Sequence, residues 1–130
     1  MYKNNGIVKS FYGAAAIAAN TIVKFGAADD TVSPATAATD LAIGITNELP
    51  LTATDVTNGS TVDVVIDGIG EVVLGAAVTR GQKITCDANS KAIPAAPAAG
   101  ANNHIIGVAL KSGAAGDIIP VLVEQSVMQG

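Results

Sequence analysis

GSTVDVVIDGIGEVVLG, running from Gly59 to Gly75, decides how the chain is read. Val62, Val64 and Ile66 alternate with Asp63 and Val65, the two-residue period of a strand with one face on a core. Asp67, Gly68 and Gly70 interrupt that run, and a second apolar run, Glu71 to Leu74, follows at once. Glycine reaches backbone angles closed to other residues, so the interruption predicts a sharp bend or bulge between two neighbouring strands.

The same pattern returns further along. Ala42-Ile-Gly-Ile-Thr46 is echoed by Ile105-Ile-Gly-Val-Ala109, and Asn58 to Ile66 by Ala115 to Val123. Between these pieces the linking loop shrinks, from Asn47–Thr57 in the first copy to Lys111–Ala114 in the second. A weaker match joins Ala15–Val23 to Ala76–Ile84. Two degenerate copies of one β unit are therefore expected, too few for a solenoid, so that the sheets close on each other. The expected fold is all-β: a compact β-sandwich or β-barrel with an extended N-terminal arm. The arm covers residues 1–13 and a single β domain covers 14–130.

Composition limits what such a domain can do. Of the 130 residues 49% are hydrophobic, yet only 3% are aromatic, tryptophan is absent and alanine is abundant. Small side chains bury little area each, so part of the stability is expected from association with other copies. The net charge of −4 is unevenly spread. Residues 1–28 hold Lys3, Lys9 and Lys24 and no acid; from Asp29 onward eleven acids face Arg80, Lys83, Lys91 and Lys111. An acidic chain without clustered Lys and Arg argues against sequence-independent nucleic-acid binding. No apolar run of about 18 residues exists to cross a membrane. The N-terminus lacks the pattern of a secretory signal, and the single cysteine, Cys86, has no internal partner, so synthesis in a reducing compartment is expected.

All four aromatics, Tyr2, Phe11, Tyr12 and Phe25, fall in the basic N-terminal part. Residues 1–13 therefore read either as an arm docking on a partner or sister subunit, or as a first strand covering the chain's own core. Ala14–Ala19 reads as a loop or strand leading into Thr21-Ile22-Val23, and Gly26–Thr39 as an exposed loop in which Asp29 and Asp30 make a solvated turn rather than a calcium site. Thr52-x-x-Asp55 allows at most one helical turn. Val78–Cys86 and Lys91–Ile93 form a hairpin around Asp87–Ser90. Pro94–Asn103 is a surface loop, Ile105–Leu110 and Ile118–Val123 close the fold as a second hairpin, and Gln125–Gly130 is a short tail. Pro120 has no amide proton and is expected at an edge or a bulge.

Reactive groups are few. Nucleophilic catalysis needs a Ser, Cys or Thr beside a base, and a zinc site needs about three or four Cys or His ligands. The chain has one histidine, His104, and one cysteine. Each reads as a structural strand residue. No phosphate loop is present, and Gly68-x-Gly70 lies between strands with no helix after it. No catalytic residue, cofactor or metal is assigned.

Taken in order, Ile43-Gly44-Ile45, Asn58 to Gly68, Val78 to Asp87, Lys91-Ala-Ile93, Ile106 to Leu110 and Ala115 to Val121 resemble the small capsid decoration, or cement, proteins of tailed bacteriophages. The resemblance spans about residues 14–124. It implies an all-β homotrimer made in the host cytoplasm that binds the outer face of the expanded head, contacts the major capsid protein and ties its subunits together. It implies no enzymatic activity. The residues expected to contact the capsid or a sister subunit are Tyr2, Lys3, Lys9, Phe11 and Tyr12. A fibre or spike module recognising a glycan is the alternative, against which stands the lack of any aromatic platform between residues 26 and 130.

Overall fold

The computed structural model describes residues 6–130. Nine strands and one short helix follow in the order β1 (Ile7–Gly13), β2 (Ile22–Phe25), β3 (Thr31–Pro34), β4 (Ala42–Thr46), α1 (Ala53–Thr57), β5 (Thr61–Val73), β6 (Lys83–Cys86), β7 (Ala92–Pro94), β8 (Asn102–Ala109) and β9 (Ile118–Gln129). They lie in the order β1-β3-β2-β4-β5-β9-β8-β6-β7, with β1 also paired to β5. That extra pairing closes β1, β3, β2, β4 and the first half of β5 into a five-stranded barrel.

The stretch from Gly59 to Gly75 is one strand, not two, and it serves two barrels. Its first half pairs antiparallel with β1 from Tyr12–Thr61 to Ile7–Asp67. Its second half, Gly68 to Val73, pairs antiparallel with β9. The expected bend is present inside this strand: Ile66 is bulged opposite the Ile7/Val8 step, and Gly68 sits at φ 104°, where a side chain would be strained. The second half then reaches β7 through a parallel bridge from Leu74 to Ala92. It does for β9 and β7 what β1 does for β5 and β3. β5, β9, β8, β6 and β7 thus form a second ring.

The two halves repeat in detail. The sequence match of Ile-Gly-Ile with Ile-Gly-Val becomes the match of β4 with β8, each antiparallel to the long strand that follows it. The bridge Ile17–Leu51 recurs as Val78–Gly113. Left-handed backbone recurs at Asn20 and Gly81, at Asp30 and Ser90, and at Gly59 and Gly116. Gly44 and Gly107 recur for one reason: a Cβ at either would run into the carbonyl oxygen of the facing strand, Val65 or Leu122.

The first barrel is filled by Phe11, Ile17, Val23, Val32, Ile43, Leu51, Val62 and Val64. The second is filled by residues such as Val72, Leu74, Ile84, Ile106 and Val121, and its cluster also takes in Ile22, Ala35, Ala42, Ile45 and Val65 from the outside of the first barrel. The outer wall of one barrel therefore seals an end of the other.

Of the two readings of the N-terminal segment, residues 7–13 follow the first-strand one rather than an extended arm: they form β1, paired on both edges, with Phe11 buried. Other segments differ from the sequence reading. Within the loop expected at 26–39, Thr31–Pro34 forms β3 with Val32 fully buried. The expected tail is the distal part of β9, paired with Asn102–Ile105 of β8. Pro120 lies in a central strand instead of at an edge. Its carbonyl accepts the Leu110 N–H, so its nitrogen points to the same side, where β8 has already ended at Ala109 and no ladder bond is lost.

A clasp from the β3–β4 loop holds the barrels together. Ser90 Oγ donates to the Ala35 carbonyl, Cys86 Sγ to Ala37 and the His104 N–H to Ala38. Asp40 fixes this loop, accepting from the Thr36 N–H at 2.9 Å and from Lys24 Nζ at 3.1 Å. The Thr36 hydrogen bond first, and Lys24 with it, hold the Asp40 carboxyl below its ordinary value of 3.8 against the opposing effect of burial. A depressed carboxyl pKa stabilises the fold above the unfolded value and loses that contribution as pH falls through the folded one. Asp40→Asn should therefore be less stable than wild type by about 1 kcal/mol at neutral pH. The two melting curves should converge below pH 3.8.

Candidate functional site

Among the described residues no charged or nucleophilic cluster stands out, so candidate surfaces are those where apolar or aromatic groups reach solvent in a fixed geometry. The first is the open end of the first barrel. Alternation along β1 turns Lys9 and Phe11 to the barrel side and Val8, Ser10 and Tyr12 to the outside. Phe11 is 5% exposed. Lys9 Nζ lies 4.4 Å from the centre of its ring, within cation–π range, and 3.6 Å from an Asp30 carboxylate oxygen. Phe25 meets Phe11 edge-on, with centroids 6.4 Å apart and planes at 71°. Together with Ile43, Ile66 and Gln125 these residues line a groove of ≈ 430 Å³ at the barrel mouth, a usual position for a binding site in such folds.

Gln125 comes to this mouth from β9. Its amide nitrogen donates to the Ile43 and Ile66 carbonyls, where β4 and β5 splay apart beyond the Ile45–Val65 pair. The side chain replaces ladder bonds that the strands no longer make.

The second surface is the outer face of β5, β9 and β8 on the second barrel. Ile69, Leu122 and Val108 stand side by side across the three strands, and Val73 pairs with Ile118 two rows away. Leu110, Ile118 and Leu122 are 44%, 53% and 37% exposed. Among the described residues, no element packs on this face.

Of the residues expected from sequence, Tyr2 and Lys3 lie outside the described residues. Lys9 and Phe11 come together at the barrel mouth, Phe11 with its ring spent on the chain's own core. Tyr12 is 51% exposed on the opposite face of β1, near Ser10, whose hydroxyl donates to Asp63 at 2.6 Å. Sequence reasoning did not single out Phe25, Ile43, Ile66 or Gln125, nor the row through Leu122. The repeat carried the signal for that row, since Leu122 aligns with Val65.

Among the described residues no group of His, Cys, Asp and Glu could hold a metal ion. Burial, with smaller effects from Asp40 and Asp87, pushes the Cys86 thiol up to about 11, away from the thiolate a nucleophile needs. No helix among the described residues is long and apolar enough to cross a membrane.

Residues 3–125 match the family described as phage cement protein. Among solved structures the chain is similar to the head fiber gp8.5 N base of bacteriophage phi29, at 12% identity and a TM-score of 0.66, covering 95% of this chain and 98% of that one. At that identity the similarity speaks for the fold alone. No curated protein sequence matches the chain.

Proposed function

Because the chain belongs to the phage cement protein family, whose members are structural proteins of the virion, we propose that it acts as a homotrimer on the outer surface of the expanded phage head, where it ties neighbouring copies of the major capsid protein together. The family match over residues 3–125 carries this reading. In this reading the protein is made in the host cytoplasm and joins the head after expansion. It works by mass action: a ligand that binds only one state of the lattice stabilises that state by about 2.7 kcal/mol per site at a hundredfold excess over Kd. The gain repeats at every occupied site, so a modest affinity per copy suffices.

The capsid contact is assigned to Tyr2, Lys3 and the outward face of β1, with Tyr12 at its centre. Lys9 and Phe11 support it from the barrel side. Removing residues 1–12 would not test this assignment, since it takes β1 out of a closed barrel. Removing residues 1–5 together with Tyr12→Ala leaves the ladder in place. Wild type should co-sediment with expanded heads lacking the protein and not with unexpanded ones, and the altered protein should bind at least about tenfold more weakly, the usual cost of losing an aromatic contact. Equal binding by both proteins would remove the assignment, and failure of wild type to bind expanded heads would remove the function.

A further inference from the structure

The two barrels are copies of one unit, and the contact between them is made by only one copy of each surface. Ile22, Ile45 and Val65 stand in one cross-strand row on the outside of the first barrel. All three belong to the core cluster of the second barrel, with Ile45 fully buried and Val65 6% exposed. They plug that barrel's mouth. Gly70 lies against Val65 and Ile45 there, and the Ile22 N–H donates to the Ser90 carbonyl at 3.0 Å.

The repeat supplies a second plug and a second mouth, each without its partner among the described residues. Lys83, Val108 and Leu122 form the row on the second barrel that matches Ile22, Ile45 and Val65, pair for pair in register. In contrast to Val65, Leu122 is 37% exposed. Phe25, Ile43 and Ile66 on the first barrel match Cys86, Ile106 and Val123 at the second, and their mouth is the open groove. Cys86 is 3% exposed in its plugged mouth, and Phe25 is 56% exposed in the open one. Asp30 matches Ser90, both in left-handed turns.

We propose that the Lys83–Val108–Leu122 face of one copy docks into the Phe25–Ile43–Ile66 mouth of a second copy of this chain, repeating between molecules the contact already made within one. The charges agree with that placement. Lys83 takes the place of Ile22 and Asp30 that of Ser90, whose backbones meet within the chain, so the docking brings the Lys83 ammonium toward the Asp30 carboxylate, which Lys9 already faces at 3.6 Å. Because plug and mouth are different surfaces, the contact is head-to-tail and either closes into a ring or runs on as a filament. It requires no capsid, so its failure and that of capsid binding are separable.

Sedimentation velocity on the purified chain tests it. At concentrations on the order of 100 µM wild type should self-associate. Leu122→Glu, which spoils the plug, and Phe25→Glu, which spoils the mouth, should each associate at least about a hundredfold more weakly, as expected for a charge buried at an interface. Mixed, the two should form a one-to-one complex, because the first keeps an intact mouth and the second an intact plug. Lys83→Glu, on the surface and without effect on folding, should weaken association, and adding Asp30→Lys should restore it. A monomeric wild type, single variants that associate like wild type, or a mixture that stays monomeric would each overturn the proposal.

Discussion

Replacing Phe11 with alanine is expected to cost about 3–5 kcal/mol of stability, the range for emptying a buried phenylalanine site. The ring is one of the few large side chains in the first barrel, and it is shared. It packs into the core cluster with Ile17, Val23 and Val62, carries Lys9 over its face and takes the edge of Phe25. It also holds β1 in register, and β1 closes the barrel from both edges. Tyr12→Ala, one position along and half-exposed, should shift stability by no more than about 0.5 kcal/mol. Denaturant midpoints of the two variants measure the contrast. Similar, small losses for both would mean that residues 7–13 hang loosely and that the barrel does not depend on them.

Gly107→Ala should cost as much with a change of one methyl group. Its Cβ would meet the Leu122 carbonyl oxygen, which is backbone and cannot swing away. The strands must separate, breaking the β8–β9 ladder beside its bulge, and about 3 kcal/mol or more is expected from overpacking and lost backbone bonds together. Gly44→Ala should behave alike, since its Cβ would meet the Val65 carbonyl in the same way. Gly59→Ala is the control. It has a φ of 74° and nothing within 4 Å, so it carries only the backbone strain of about 1–2 kcal/mol. Thermal melts of the three should place the two strand glycines well below the turn glycine. If all three melt together, close approach is not why glycine stands in these strands.

Those two glycines also mark what could be read from the residues. Ile43-Gly-Ile45 and Ile106-Gly-Val108 carried the repeat because a steric demand at one atom forces the same residue into both copies. Alternation along Val62–Ile66 and the apolar run Ile118–Val123 likewise report burial on one face, which is a local property. What stayed hidden depends on partners far along the chain. β3 is four residues long with one fully buried side chain, too short for a period to emerge from a polar stretch. Gln125 reads as tail because its value lies in the carbonyls of Ile43 and Ile66. Pro120 reads as an edge residue because the end of β8, which makes it harmless, is set by a loop elsewhere. The aromatics near the N-terminus were visible as a cluster, yet only the closed barrel separates Phe11, turned inward, from Tyr12, turned out.

The most direct measurement is cryo-electron microscopy of expanded phage heads incubated with the protein. Ordered density for the double barrel on the outer surface, each copy or ring touching more than one major capsid protein subunit, is the expected result. Heads that remain bare under saturating protein, or density confined to the inside of the shell, would contradict it.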